Sequence, residues 1–162
     1  MKKKLSGRFW LALTLFSLIG QVAWVIENMY FNVFMYEMFN ATAGDISMMV
    51  AASAIAATLT TVFMGPLSDR VGKRKLFMCG GYILWGISIF SFTLLRVDVI
   101  EKIFPMTVSA ASLGVTLTII MDCVMTFMGS TSNDAAFNAW VTDVTNPSNR
   151  TLTETILAIV PV

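Results

Sequence analysis

Two carboxylates stand where a carboxylate is costly. Glu27 follows an uncharged run over residues 9–26, and Asp122 follows another over residues 103–121. An acid flanked by so much apolar sequence must be paired, neutral or hydrated, and each could bind and release a proton or hold a sodium ion. The bland alternative for Glu27 is a basic partner in a missing helix. Around Asp122, Thr118, Thr126, Gly129 and Asn133 recur at helical spacing. Around Glu27, Thr14, Ser17, Gln21, Trp24, Asn28 and Asn32 recur at three- and four-residue steps, which puts them on one helical face with Glu27 just off it. An indole among amides suits a sugar, which offers hydroxyls at its edge and an apolar face to a ring. Gln21, Trp24, Asn28, Asn32 and Asn133 are therefore candidate ligands for a small-molecule substrate, although a hydrogen-bonded seam between helices would use the same residue types. Asp134 and Asp143 read as gate or loop residues. The chain has no histidine, which removes the usual proton relay and the commonest metal ligand. No catalysis, metal or cofactor is implied beyond a coupling H+ or Na+.

A second constellation is Gly65-Pro66-Leu67-Ser68-Asp69-Arg70-Val71-Gly72-Lys73-Arg74. It has six residues between its glycines and Arg74 after the lysine, so it is not a phosphate loop, which needs four residues and then Ser or Thr. Read physically, it is a tight charged turn. Gly65 and Gly72 supply backbone freedom, Asp69 and Arg70 carry opposite charges, and Lys73 and Arg74 anchor the turn at a membrane edge.

The elements that must carry these groups are long and apolar. Apolar residues make up 56% of the chain and charged ones only 13%, about half the charge of a soluble domain. The charges cluster between uncharged runs over residues 9–26, 46–68, 76–95 and 103–121. Each is close to the roughly 20 residues a helix needs to cross the hydrocarbon core. Backbone groups in lipid must be satisfied within the segment, so these are helices. The expected fold is an all-α membrane bundle with spans at 8–39, 44–66, 73–95 and 104–141. Gly65-Pro66 ends the second, and Pro105 stands in the first turn of the fourth. A fifth segment over 151–162 is too short to cross. The expectation is therefore a chain cut inside a helix, one that transports nothing alone and needs missing C-terminal helices as its partners.

Lys2, Lys3, Lys4 and Arg8 precede the first span, and Arg70, Lys73, Arg74 and Lys75 lie between the second and third. The segment joining the first two spans has no Lys or Arg, so the positive-inside rule predicts a cytoplasmic N-terminus in a multi-pass protein of the cell membrane. The first apolar stretch runs on to Ile26 without a small-residue cleavage pattern, which argues against a signal peptide. Cys79 and Cys123 fall inside apolar runs and read as packing residues. Asn40-Ala41-Thr42 fits a glycosylation acceptor by coincidence. The bilayer is the expected environment, and no nucleic-acid partner is indicated.

The Gly65–Arg74 stretch resembles the signature loop between helices 2 and 3 of the major facilitator superfamily, at every fixed position and in the same place along the chain. That resemblance implies twelve helices in two halves, of which this chain would be the partial N-terminal half. It also implies a gate at the loop: Asp69 would contact a helix end of the opposite half, and Arg70 a nearby acidic group. Residues 133–145 with Arg150, together with Gly20-Gln21 and Trp24, are similar to sugar–cation symporters of the glycoside–pentoside–hexuronide and sucrose-carrier type. The implied function is cation- or proton-coupled symport of a sugar or other organic solute. The paired helix-2 aspartates of some such carriers have no counterpart here. Two other readings fit the same residues: a small four-helix proton-coupled multidrug exporter, and a non-transporting membrane subunit.

Overall fold

The computed structural model describes residues 5–105 and 109–159. Helix α1 (Gly7–Phe39) begins where the Ser6 hydroxyl accepts the Phe9 N–H at 3.3 Å. It stops where Asn40 turns left-handed at φ 50°, a conformation asparagine tolerates. Thr42 then opens α2 (Ala43–Val71) with a capping box: its backbone N–H donates to Asp45 at 2.8 Å, and its hydroxyl accepts the Asp45 N–H at 3.3 Å. Asn40-Ala41-Thr42 is thus the helix-to-helix turn.

Helix α2 does not end at Gly65-Pro66. It runs through the proline to Val71 and stops at Gly72, whose φ of 66° only glycine adopts at no steric cost. A proline removes one ladder hydrogen bond, which a long helix near its end can lose. The Ser68 hydroxyl ties that last stretch to the Gly65 carbonyl at 2.8 Å. Most of the charged turn expected from the sequence is therefore helix. The link to α3 (Arg74–Ser91) is only Gly72 and Lys73.

Helix α3 closes in a 3-10 turn (Phe92–Leu94), and a short α4 (Val97–Ile103) follows in what the sequence left as a loop. Phe104 and Pro105 lie outside any helix. The fourth long helix starts instead at Ala110, with residues 106–108 outside the described residues. It comprises α5 (Ala110–Gly129), a π-helical segment (Ser130–Phe137) and α6 (Asn138–Val144). The expected fifth segment begins earlier than residue 151, as α7 (Pro147–Ile159), and residues 160–162 lie outside the description, as do Lys2, Lys3 and Lys4.

Four stretches, Gly7–Phe39, Ala43–Val71, Arg74–Leu94 and Ala110–Val144, are long and apolar enough to cross a membrane. They pack around the fourth, which touches α1, α2 and α3. Large apolar side chains such as Leu15, Phe63, Ile87 and Phe90 are exposed. In lipid that is the ordinary outer surface of a spanning bundle. Two apolar clusters form the interior. One gathers Phe31, Met35, Phe39, Phe92 and Met125, with Phe31 stacked on Phe92 at 4.3 Å. The other gathers Phe9, Leu13, Met78, Phe137 and Val141. Most of the buried polar groups lie on α1 and on the fourth helix.

Candidate functional site

Glu27 points into the bundle and is 7% exposed. It shares the buried arc of α1 with Ser17, Gly20 and Phe31. The polar stripe expected to face other helices or a wet cavity lies beside that arc, with only Ser17 on it. Asn28 is exposed, and Gln21 and Asn32 are partly so. Both asparagine amides donate back to their own helix, Asn28 to the Trp24 carbonyl at 2.8 Å and Asn32 to the Asn28 carbonyl at 2.9 Å. The reason is steric: small Ser17 and Gly20 admit the neighbouring helices closely, and that contact fixes the inward direction. A Cβ on Gly20 would land on the Asn133 carboxamide.

Asp122 is 2% exposed on α5 and faces Ser53 of α2. One turn on, the Thr126 hydroxyl donates to Glu27 Oε1 at 3.2 Å. The two acids lie near enough to act on each other electrostatically. Glu27 Oε2 is buried with no partner among the described residues. No Lys or Arg lies between Arg8 and Arg70, between Lys75 and Arg96, or between Lys102 and Arg150. A basic partner for these acids is therefore not available at their depth within this chain.

Trp85 closes the same layer and was not singled out by the sequence. It is 2% exposed and lies across Gly129, where a Cβ would sit 2.8 Å from its ring. Its ring is 5.9 Å from Trp24 and 5.8 Å from Tyr82. The Nε1 donor has no partner among the described residues, like Glu27 Oε2. An aromatic residue with a polar edge at mid-span is the signal that could have found both Trp85 and Tyr82.

The π-helical segment has a visible cause. The Thr131 hydroxyl takes the Phe127 carbonyl at 2.7 Å, and the Ser132 hydroxyl takes those of Met128 and Gly129 at 2.9 and 3.1 Å. Carbonyls occupied by side chains favour the longer i→i+5 backbone pattern. Asn133, within this segment, reaches the α1–α3 contact. There its Oδ1 accepts from the Tyr82 hydroxyl at 2.8 Å, and its Nδ2 donates to Asp134 at 3.1 Å.

At the charged link, Arg74 does the work expected of Arg70. Its guanidinium reaches Asp69 at 2.8 Å and Asp143 at 3.0 Å. It is one-fifth exposed, because it opens α3 toward the end of α6. Arg70 and Lys73 are exposed, and Arg70 makes no ion pair among the described residues. Gly72 is needed for its φ. Gly65 sits inside α2 with open space where a Cβ would go, so it supplies no turn.

A groove of about 750 Å³ between α2 and α5 is lined by apolar groups including Phe63, Cys123 and Phe127, and neither Glu27 nor Asp122 lines it. It belongs to the apolar exterior rather than to the polar layer.

The family model described as Major Facilitator Superfamily matches residues 9–160. The chain belongs to the major facilitator superfamily. Its four long apolar helices make this superfamily member a multi-pass membrane protein with a partial form of the fold. Among curated proteins, the quinolone resistance protein NorA of Staphylococcus aureus, in strains N315, MW2 and COL, is 41% identical over 51 residues. That stretch is 32% of this chain and 13% of NorA, so the chain matches only a small part of its relative. No solved structure matches this superfamily member. The sugar-carrier subtype expected from residues 133–145 finds no support in these matches, since the relative's name is that of a drug-resistance protein.

Proposed function

We propose that the chain is the N-terminal part of a proton-coupled secondary transporter that carries an organic solute by alternating access. The observation that carries this reading is Glu27: a carboxylate buried in a spanning helix, beside Asp122, with one oxygen unpartnered and no basic residue at its depth. Such a group is tolerated when it is protonated or hydrated for part of a cycle. Glu27 and Asp122 are the coupling residues of this reading. The Asp69–Arg74–Asp143 cluster is the cytoplasmic latch, with Asp69 also available to the opposite half of the transporter. The N-terminus is cytoplasmic.

For the solute, export of an aromatic organic compound is the first reading. It is supported by the stretch shared with NorA and by the clustered Trp24, Trp85 and Tyr82 rings. Sugar symport is the second reading. It rests on Gln21, Trp24, Asn28 and Asn32, but two of those amides are already bonded to their own helix, and Trp24 is packed on Trp85. The test is the complete transporter in proteoliposomes under an imposed pH gradient, with a fluorescent quinolone and a radiolabelled disaccharide as alternative probes. Gradient-driven flux of the quinolone, lost in Glu27→Gln, supports the first reading, and such flux of the disaccharide supports the second. Flux driven equally well with Glu27→Gln sinks the coupling assignment.

A further inference from the structure

Three buried polar atoms in the layer between α1, α3 and the fourth helix have no partner among the described residues: Glu27 Oε2, Trp85 Nε1 and the Ser130 hydroxyl. They are neighbours by construction. Thr126 holds Glu27, Gly129 one turn on carries Trp85, and Ser130 follows Gly129. Buried polar atoms of native proteins are paired, if not with protein then with ordered water. One turn beyond Ser130 stands Asp134, half-buried, its carboxylate close enough for the Ser130 hydroxyl to act on it. Asp134 is fixed by Asn133, which Tyr82 fixes in turn. The site described above does not use it.

The geometry points to Asp134 as the second station of a proton path, reached from Glu27 through water and the Ser130 hydroxyl along the π-helical segment. This inference rests on the coupling role of Glu27 and extends it. The step balances simply. The Glu27 carboxyl gives its proton to a bridging water. A proton of that water passes to the Ser130 oxygen as the Ser130 proton moves to the Asp134 carboxylate. One proton advances and the water and hydroxyl are regenerated. The groups facing Asp134 are Glu27 from α1 and Tyr82 from α3. Between Asp45 and Asp69, α2 contributes no charged side chain, and no Lys or Arg at that level would trap the proton-free carboxylate. The π segment gives the path its shape. Its widened turn sends Asn133 to Tyr82 and leaves the carboxylate beside the Ser130 hydroxyl.

The test separates coupling from binding in the complete transporter, reconstituted with a pH dye inside and a fluorescent quinolone as probe. In Asp134→Asn, solute-coupled proton movement should fall roughly a hundredfold, the scale of losing a positioned proton-transfer group. Solute exchange at equal pH should stay near the wild-type rate. Asp134→Glu should restore coupling. Ser130→Ala, a smaller change than Asp134→Asn, should slow coupled flux and spare exchange. Coupling undiminished in Asp134→Asn overturns the path, as does an equal loss of exchange and coupling. If Glu27→Gln abolishes coupling while Asp134→Asn does not, only the path fails. If Glu27→Gln is itself silent, the coupling assignment falls with it.

Discussion

Substituting Gly129 by alanine probes the contact on which the polar layer is built. The new Cβ would sit 2.8 Å from Trp85 Cε2, 3.0 Å from Cζ2 and 3.2 Å from Cδ2. Relaxed carbon contacts are about 3.5–4.0 Å, so the ring must retreat by roughly 1 Å. It has little room, being 2% exposed and flanked by Trp24 and Tyr82. Overpacking of this kind costs about 1–3 kcal/mol. Alanine in a helix recovers up to about 1 kcal/mol relative to glycine. Gly80 supplies the control, because nothing lies within 4 Å of its would-be Cβ. Gly80→Ala takes the same helix gain without the clash, so the difference between the two variants isolates the overpacking, about 1–3 kcal/mol. At about 2–4 °C per kcal/mol for a chain of this size, Gly129→Ala should melt some 2–12 °C below Gly80→Ala. The assay is thermal unfolding in detergent followed by tryptophan fluorescence. Equal melting temperatures, or a more stable Gly129→Ala, would refute the Trp85–Gly129 packing.

Arg74→Gln should destabilise by about 1 kcal/mol, since both its pairs involve half-exposed aspartates, and Arg70→Gln by less than about 0.5 kcal/mol. Thermal unfolding at low salt should resolve the difference, and 1 M salt should shrink it. Thr126→Val should cost about 1–3 kcal/mol by leaving Glu27 with no hydroxyl donor, whereas Thr126→Ser should restore most of that, as read by denaturant unfolding. Phe92→Ala should cost about 3–5 kcal/mol through loss of the stack on Phe31, measured in the same way. Single cysteines at Lys73 and Asp98, labelled from one side of sealed vesicles, should react from opposite sides; labelling from the same side would overturn the topology.

The four long helices were legible because a bilayer imposes a length and a polarity that composition alone displays. Their ends were less so. Proline at 66 signals a lost hydrogen bond, but the stop is decided by Gly72, the residue that can turn left-handed. The run Ser130-Thr131-Ser132 held the signal for the π segment in its hydroxyls, yet their carbonyl partners are chosen by packing around Trp85 and Tyr82, which no spacing rule contains. Periodicity placed Glu27 beside a polar stripe. It could not orient that stripe, because the inward direction of α1 is set by contacts from α3 and the fourth helix at Gly20. The charged link was recognisable as a motif, but which arginine meets the acids depends on where α3 begins, and so fell to Arg74.

The i→i+5 stretch has a consequence for comparing this helix with any straight counterpart. A strictly α-helical relative would align with Trp140 and Asp143 only after a gap within residues 130–137. Forcing the same residues into an unbroken α-helix would swing everything downstream by about 100°. Asp143 would then turn away from Arg74. The bulge is thus a phase shifter: it lets one continuous rod present its polar layer at mid-span and Asp143 to the α2–α3 link, two targets that no unbroken helix of the same sequence could face at once.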